Sequence, residues 1–132
     1  MAALETNVLV RFLVGDDAAQ AAAATGLIQR SVAARENLFV PITVALELEW
    51  VLRSKYGFAK ADIRRTFGHL LSASEVVFQH EKALEFALQL WQKESADFSD
   101  CIHIALAAES GNAPMWTFDK GAASLSGARR LK

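Results

Sequence analysis

The chain has 132 residues, of which 52% are hydrophobic, and this suits one compact domain built around one core. With 22% charged residues, seven Gly and two Pro, the composition excludes a disordered or collagen-like protein. The net charge of −1 gives no basic excess that would indicate nucleic acid, and the single Cys101 cannot form an internal disulfide, which fits a reducing cytosol.

The chain opens with a predicted strand that runs into two helices. Residues 2–4 form a short apolar run typical of a buried strand. Thr6 or Asn7 is then expected to cap a helix that continues to residue 13. The acidic pair that follows this helix caps a second one over 18–35. A strand followed by helices is the start of an α/β arrangement.

The same alternation continues to the end of the chain. Pro41 suits the first turn of a helix, and Gly57 and Gly111 mark helix ends. Short apolar strands between long helices predict βαβ crossovers and a mainly parallel central sheet with helices on both faces. We therefore expect one α/β domain over 1–132, an α/β/α sandwich. The other predicted strands are 38–40, 76–78, 114–118 and 129–132, the other helices are 42–56, 61–72, 80–94 and 98–110, and 121–127 is a loop or short helical turn.

The apolar stretch 8–14 does not have the pattern of a secretory signal or a transmembrane helix. It contains Arg11 and is followed by Asp16 and Asp17. We therefore expect a cytoplasmic protein with no membrane partner.

Acidic residues follow the ends of predicted strands and open one of the helices. Glu5 follows the first strand and Asp119 the fourth, and in open parallel sheets ligands bind beyond these carboxyl ends. Asp97 and Asp100 are three apart, so on a helix their Cβ atoms lie about 5–6 Å from each other. Glu47 joins them from the helix after the second strand, between apolar neighbours. Clustered carboxylates need a compensating cation, and Mg²⁺ prefers hard oxygen ligands of this kind.

Several polar residues have a plainer interpretation. Asp97 is read first as a helix cap, with a role in the site as the alternative. Glu49 is expected to face solvent, as are Asp16, Asp17 and Asp62. His103 is three residues from Asp100, but a zinc site needs more nitrogen or sulfur ligands, so a structural role is preferred.

The other histidines and the tryptophans are not assigned to the chemistry. His69 and His80 fall in separate helical segments without a visible partner. The tryptophans are assigned to a core or an interface in preference to base stacking. They are Trp50, Trp91 and Trp116.

Four acidic motifs, taken in order, resemble those of PIN domains. The first is LETNVL over 4–9, and the second begins with Glu47 in ELEWVL over 47–52. The third is DFSDCIH over 97–103, and the last is TFD over 117–119. The resemblance spans nearly the whole chain, and it implies a PIN-like α/β fold.

Within the PIN domains, the stretches 10–13 and 46–53 are similar to the VapC toxins. This resemblance implies an endoribonuclease that depends on Mg²⁺ or Mn²⁺ and acts as the toxin of a toxin–antitoxin pair. It also implies an RNA substrate, a cognate VapB-like antitoxin that covers the acidic site, and a homodimer.

The motifs also imply roles for single residues. The catalytic acids are Glu5, Glu47, Asp100 and Asp119, of which Glu5, Asp100 and Asp119 are the expected metal ligands. The supporting residues are Asp97, Thr117 and Asn7. Candidate contacts to RNA or to the antitoxin are Arg11, Arg53 and Lys120.

Glu5 departs from the resemblance, because PIN domains have Asp in their first motif. The extra methylene keeps the charge but displaces the ligand oxygens, so we expect attenuated activity. One alternative is a degenerate PIN module that binds an antitoxin or RNA without cutting. Another is a receiver-like phosphoacceptor domain, which needs an acidic pair after the first strand and an Asp after a middle strand. The chain has Glu5 alone and Gln79 at these places, which disfavours that class.

Overall fold

Strands and helices follow one another in the predicted order. The computed structural model describes residues 1–93 and 95–132. The strands are β1 (Ala2–Ala3), β2 (Leu38–Val40), β3 (Val76–Phe78), β4 (Met115–Thr117) and β5 (Ala128–Arg130). The helices are α1 (Thr6–Val14), α2 (Ala18–Ala33), α3 (Ile42–Ser54), α4 (Lys60–Ser72), α5 (Glu81–Lys93), α6 (Phe98–Glu109) and α7 (Lys120–Ala123).

The differences from the sequence predictions lie at element ends. Glu5 occupies the N-cap position of α1, so the predicted caps Thr6 and Asn7 are wrong. The second helix stops before Arg35, which adopts a left-handed backbone with φ of 56° and cannot continue an α-helix. The predicted end of the fifth helix at Glu94 lies outside the described residues.

Residues 1–79 form a unit with a three-stranded parallel sheet of order β1-β2-β3. Leu38 in the middle strand pairs with Ala2 on one side and with Val76 on the other. Helix α1 packs on α2 and α3, and α4 packs on α3 and β3. Gln79 follows β3, and its Oε1 accepts a hydrogen bond from the Ile42 backbone N–H at 3.0 Å. This side chain ties the carboxyl end of β3 to the start of α3.

Residues 80–132 form a second unit, in which β4 and β5 pair in parallel. Helix α5 packs on α6, and the short α7 packs on both strands. The rings of Trp91 and Phe98 lie 5.0 Å apart at their centroids, inside the α5–α6 contact. Cys101 is buried on α6, among the side chains of the core.

The expected α/β class with parallel strands is confirmed, since every strand pair among residues 1–93 and 95–132 is parallel. The assignment of 1–132 to one domain stays a prediction. Among the described helices, none is both long and apolar enough to cross a bilayer.

Candidate active site

Glu5 lies directly after β1 and begins α1 without capping it. Its backbone is extended, with φ of −88° and ψ of 170°, and its side chain accepts no hydrogen bond from the helix. The exposed carboxylate also lines a cleft of about 450 Å³ between α1 and α2, together with Asn7 and Arg11. Because α1 does not use this carboxylate, its oxygens are available to a ligand.

Glu47 and Glu49 lie in different environments on α3. Glu47 is exposed, whereas Glu49 is only 4% exposed and its Oε2 pairs with Arg53 Nε at 2.7 Å. The buried face of α3 carries Ala45, Leu48, Glu49 and Leu52, at the three- and four-residue spacing of a helix. The apolar residues next to Glu47 in sequence therefore point elsewhere. The expectation that Glu49 faces solvent is wrong.

A buried hydroxyl holds Glu47 in place. Thr6, which is 8% exposed, donates a hydrogen bond from Oγ1 to Glu47 Oε1 at 3.0 Å. This bond joins α1 to α3 across 41 positions of sequence. It fixes one carboxylate oxygen of Glu47 beside the first residue of α1.

Replacing Thr6 with Val should destabilise the fold by about 1 kcal/mol, because the variant loses one hydrogen bond while keeping the side-chain shape. Urea unfolding monitored by circular dichroism measures the change. Thr43→Val, at an exposed position on α3, is the matched control and should leave the unfolding free energy nearly unchanged. Equal effects of the two variants would show that the bond to Glu47 contributes nothing.

The second unit gathers three acids near the start of α6 and the end of β4. Partial burial raises the pKa of the Asp100 carboxyl above its ordinary value, and the negative charges of Asp97 and Asp119 raise it further. His103 acts in the opposite direction. Asp100 is therefore a partly buried carboxylate inside a field of like charge, where a bound cation is favoured.

Asp97 and Asp119 both occupy N-cap positions, but only the side chain of Asp119 caps its helix. Asp97 occupies the N-cap position of α6, but its side chain makes no capping hydrogen bond. Asp119 caps α7 by accepting a bond from the Ala122 N–H at Oδ2, 2.7 Å away, which leaves Oδ1 available. Thr117 Oγ1 accepts a bond from the Asp119 N–H at 3.0 Å and fixes the turn that carries this acid.

Arg11 and Lys120, two candidate contacts to RNA or to the antitoxin, have different surroundings. Arg11 donates from Nη1 to Asp16 Oδ1 at 3.1 Å and to Tyr56 Oη at 3.2 Å, and from Nε to Gln20 Oε1 at 2.6 Å. Tyr56 Oη in turn donates to Asp16 Oδ2 at 2.7 Å. A guanidinium held by three side chains is pre-positioned at the α1–α2 cleft. Lys120 is exposed at the start of α7.

The network around Tyr56 predicts a pH-dependent contribution to stability. The hydrogen bond from Tyr56 lowers the pKa of Asp16 below its ordinary 3.8, with the Arg11 charge acting in the same direction and desolvation against it. An acid with a depressed folded-state pKa stabilises the fold above its ordinary value, and loses this effect as the pH falls through the folded-state pKa.

Tyr56→Phe should therefore be less stable than the wild type at neutral pH, and the difference should shrink as the pH falls below 3.8. Urea unfolding at a series of pH values measures the difference. Asp16→Asn should remove the same pH-dependent part, and combining it with Tyr56→Phe should add little. A difference of constant size at every pH would contradict the assignment.

His80 was expected to have no partner, and this is wrong. Its Nδ1 lies 2.7 Å from Glu109 Oε1, and the residue adopts a left-handed backbone with φ of 53° just before α5. The two residues are 29 positions apart, so no local sequence pattern could indicate the pair. The Glu49–Arg53 pair, by contrast, has the four-residue helical spacing that could have predicted it.

The PIN domain family matches residues 2–128, which is nearly the whole chain. The chain belongs to the PIN domain family. PIN domains are in general metal-dependent nucleases that use divalent ions such as Mg²⁺. No curated protein matches the chain.

The donors of this PIN domain suit a hard divalent cation. Within 1–93 and 95–132, no group of three or more His, Cys, Asp or Glu side chains is placed to enclose a metal ion. Mg²⁺ does not require such an enclosure, because it keeps several waters and is held by one or two carboxylates plus substrate phosphate. Asp100 and Asp119 supply carboxylate oxygens, and their mutual repulsion is what a divalent cation would offset.

Proposed function

We propose that this PIN domain is an endoribonuclease dependent on Mg²⁺ or Mn²⁺, and that it acts as the toxin of a toxin–antitoxin pair of the VapC type. The observation that carries the proposal is the carboxylate Asp100, partly buried and close enough to the charges of Asp97 and Asp119 to have its pKa raised. The family supports the nuclease class. The VapC-like stretches 10–13 and 46–53 support the toxin assignment.

The proposed ligands are Glu5, Asp100 and Asp119, with Glu47 as a further catalytic acid. A divalent ion held by these acids would supply Lewis-acid polarisation of the phosphate and a lower pKa for a nearby water. The chain's own residues hold these acids in place. Thr6 fixes Glu47 through its hydroxyl, and the short α7 fixes Asp119 through the Ala122 N–H. Carboxylates held by such bonds lose little side-chain entropy when they bind an ion.

A second candidate is a degenerate PIN module that binds RNA or an antitoxin without cutting. The observation that favours it is Glu5, a longer acid where PIN domains have Asp. Both candidates predict binding, but only the nuclease predicts turnover that requires a divalent ion. Metal-dependent turnover therefore separates them.

The test is cleavage of a structured RNA by the purified chain with Mg²⁺, with Mn²⁺ and with excess EDTA. Product formation with either ion and none in EDTA is the expected result. Cleavage that persists in EDTA would contradict the metal-dependent mechanism. RNA binding without turnover at any metal concentration would favour the degenerate module.

The toxin assignment has a separate test in cells. We expect growth arrest when the chain is expressed alone, and relief when a small VapB-like antitoxin from a neighbouring reading frame is co-expressed. Sequencing the 5′ ends of RNA shortly after induction would identify the cleavage site. Expression without toxicity and without a stable partner would contradict this part of the proposal, and sedimentation velocity would test the expected homodimer.

A further inference from the structure

Trp116 lies on the surface of the β4–β5 pair although it is a large aromatic residue. Its side chain is 53% exposed, and Phe118 two residues later is 73% exposed. In the strand register Trp116 is opposite Arg129, whose guanidinium carbon lies 5.5 Å from the ring centroid. This distance is within the range of a cation–π contact, so the Arg holds a charge against the exposed ring.

The segment that carries Trp116 has a charge opposite to that of the whole chain. Residues 114–132 contain one acid, Asp119, and four basic residues, whereas the complete chain has a net charge of −1. These basic residues are all exposed, and they are Lys120, Arg129, Arg130 and Lys132. Exposed aromatic rings among cations are typical of surfaces that bind single-stranded nucleic acid.

A small cleft places Trp116 beside one of the proposed metal ligands. The cleft has a volume of about 130 Å³ and is lined by Trp116 and Asp100, with Thr117 and His103 completing its polar wall. A ligand that stacks on the indole here therefore lies next to the acid of α6. The aromatic ring and the carboxylate belong to one binding surface within residues 80–132.

We infer that Trp116, supported by Arg129, is a stacking platform for one unpaired RNA base next to the phosphate that the enzyme cleaves. This inference rests on the proposed nuclease function and deepens it. In a duplex both faces of a base are covered by its neighbours, so a platform of this kind selects an unpaired nucleotide. The Arg129 guanidinium beside the ring attracts a phosphate next to that nucleotide.

A protein partner is the other occupant that an exposed aromatic surface could have. The Arg129 guanidinium over the ring, in a segment that carries four basic residues and one acid, favours a polyanion over an apolar partner face. Trp50 provides a comparison, because it is also an exposed tryptophan, at 57%, but lies on α3 in the other unit. The two residues therefore form a matched pair for substitution.

The experiment measures binding of a fluorescein-labelled single-stranded oligoribonucleotide by fluorescence anisotropy, in EDTA and at fixed salt so that nothing is cleaved. The same oligonucleotide annealed to its complement is the second ligand. We expect tighter binding of the single strand by the wild type. Trp116→Ala should weaken it by about 10-fold, since removing one stacking side chain costs of that order. Trp116→Phe should lose less, and Trp50→Ala should change nothing.

Several results would overturn the inference. They are equal binding of the single strand and the duplex, no measurable binding by the wild type, and an unchanged affinity in Trp116→Ala. Loss of self-association in Trp116→Ala by sedimentation velocity, with RNA affinity intact, would assign the surface to a second copy instead. Trp116→Phe retains an aromatic ring, so a folding defect in the Ala variant does not remove the test.

Failure of the inference and failure of the proposed function give different results. If the chain cleaves RNA with Mg²⁺ but Trp116→Ala binds and cleaves like the wild type, the nuclease assignment holds and the stacking platform is wrong. If no metal supports cleavage while binding of the single strand still depends on Trp116, the platform holds and the nuclease assignment fails.

Discussion

Replacing Asp100 with Asn is expected to lower the rate of metal-dependent RNA cleavage by at least about 100-fold. Loss of a residue that only hydrogen-bonds to a metal ligand already costs about 10–100-fold, and Asp100 is proposed to be a ligand itself. The substitution keeps the size of the side chain and removes one charge. It also exchanges one ligand oxygen for an amide nitrogen that cannot bind Mg²⁺. Cleavage rates at saturating Mg²⁺, measured on the same RNA as for the wild type, give the effect.

The same substitution should raise thermal stability when no metal is bound. Burial and the charges of Asp97 and Asp119 raise the pKa of Asp100, so the folded state binds its proton more tightly than the unfolded state does. Stability then falls as the pH rises from the ordinary value of 3.8 through the raised pKa, and it stays reduced at neutral pH. Asn removes this penalty, and we expect a higher Tm in EDTA than that of the wild type.

Two other substitutions serve as controls for Asp100. Asp97→Asn should reduce cleavage less, because Asp97 is a proposed supporting acid and its side chain makes no capping bond that Asn would lose. Asp62→Asn removes an exposed acid that pairs with Arg65 in α4, and it should leave cleavage unchanged. Wild-type rates in Asp100→Asn at saturating Mg²⁺ would show that Asp100 is not a ligand.

The element order could be predicted from the sequence because local signals agree with the tertiary structure. The apolar run Val76–Phe78 is a strand with the predicted bounds. Pro41 lies at the start of α3, at its N-cap position, as expected for a proline that begins a helix. Asp17 caps α2 by accepting a bond from the Gln20 N–H at 3.0 Å, as its spacing indicates. Each of these features depends on residues within a few positions of one another.

The features that the sequence could not predict depend on contacts between residues far apart in sequence, or on which face of a helix is buried. Glu47 and Glu49 are two positions apart, and their burial is decided by which face of α3 packs on α1 and α4. The Tyr56–Asp16 bond spans 40 positions and needs the folded unit to exist. Asp119 caps α7 only because β4 turns directly into that short helix. Capping by Asp97 was the more obvious expectation from sequence.

Replacing Glu5 with Asp should raise both cleavage and toxicity, because it restores the shorter acid of the PIN motif. Glu5 carries one more rotatable bond, and a displacement of its oxygens by about 1 Å can cost on the order of 100-fold in rate. The gain should be larger with Mg²⁺ than with Mn²⁺, since Mg²⁺ has the stricter octahedral demands. A titration of each metal at matched protein concentration measures it.

Because Glu5 occupies the N-cap position of α1, its replacement can change helix capping as well as metal binding, and the experiment has to separate these two effects. Asp is a good N-cap, and at this position it can accept a bond from the start of α1, as Asp17 does for α2 and Asp119 for α7. Capping would stabilise the fold by about 1 kcal/mol and would turn the carboxylate toward its own helix. Activity and stability must therefore be measured on the same samples, by cleavage rate and by urea unfolding in EDTA.

Glu5→Asn is the control that distinguishes the two effects, because Asn caps a helix as well as Asp but cannot supply a carboxylate oxygen to the ion. If Glu5 is a metal ligand of the wrong length, Glu5→Asp gains activity while Glu5→Asn loses it, although both gain stability. If the gain comes from capping alone, both variants become more stable and more active together. An Asp variant no more active than the wild type at any metal concentration would show that Glu5 already places its oxygens adequately, and that the extra methylene does not attenuate cleavage.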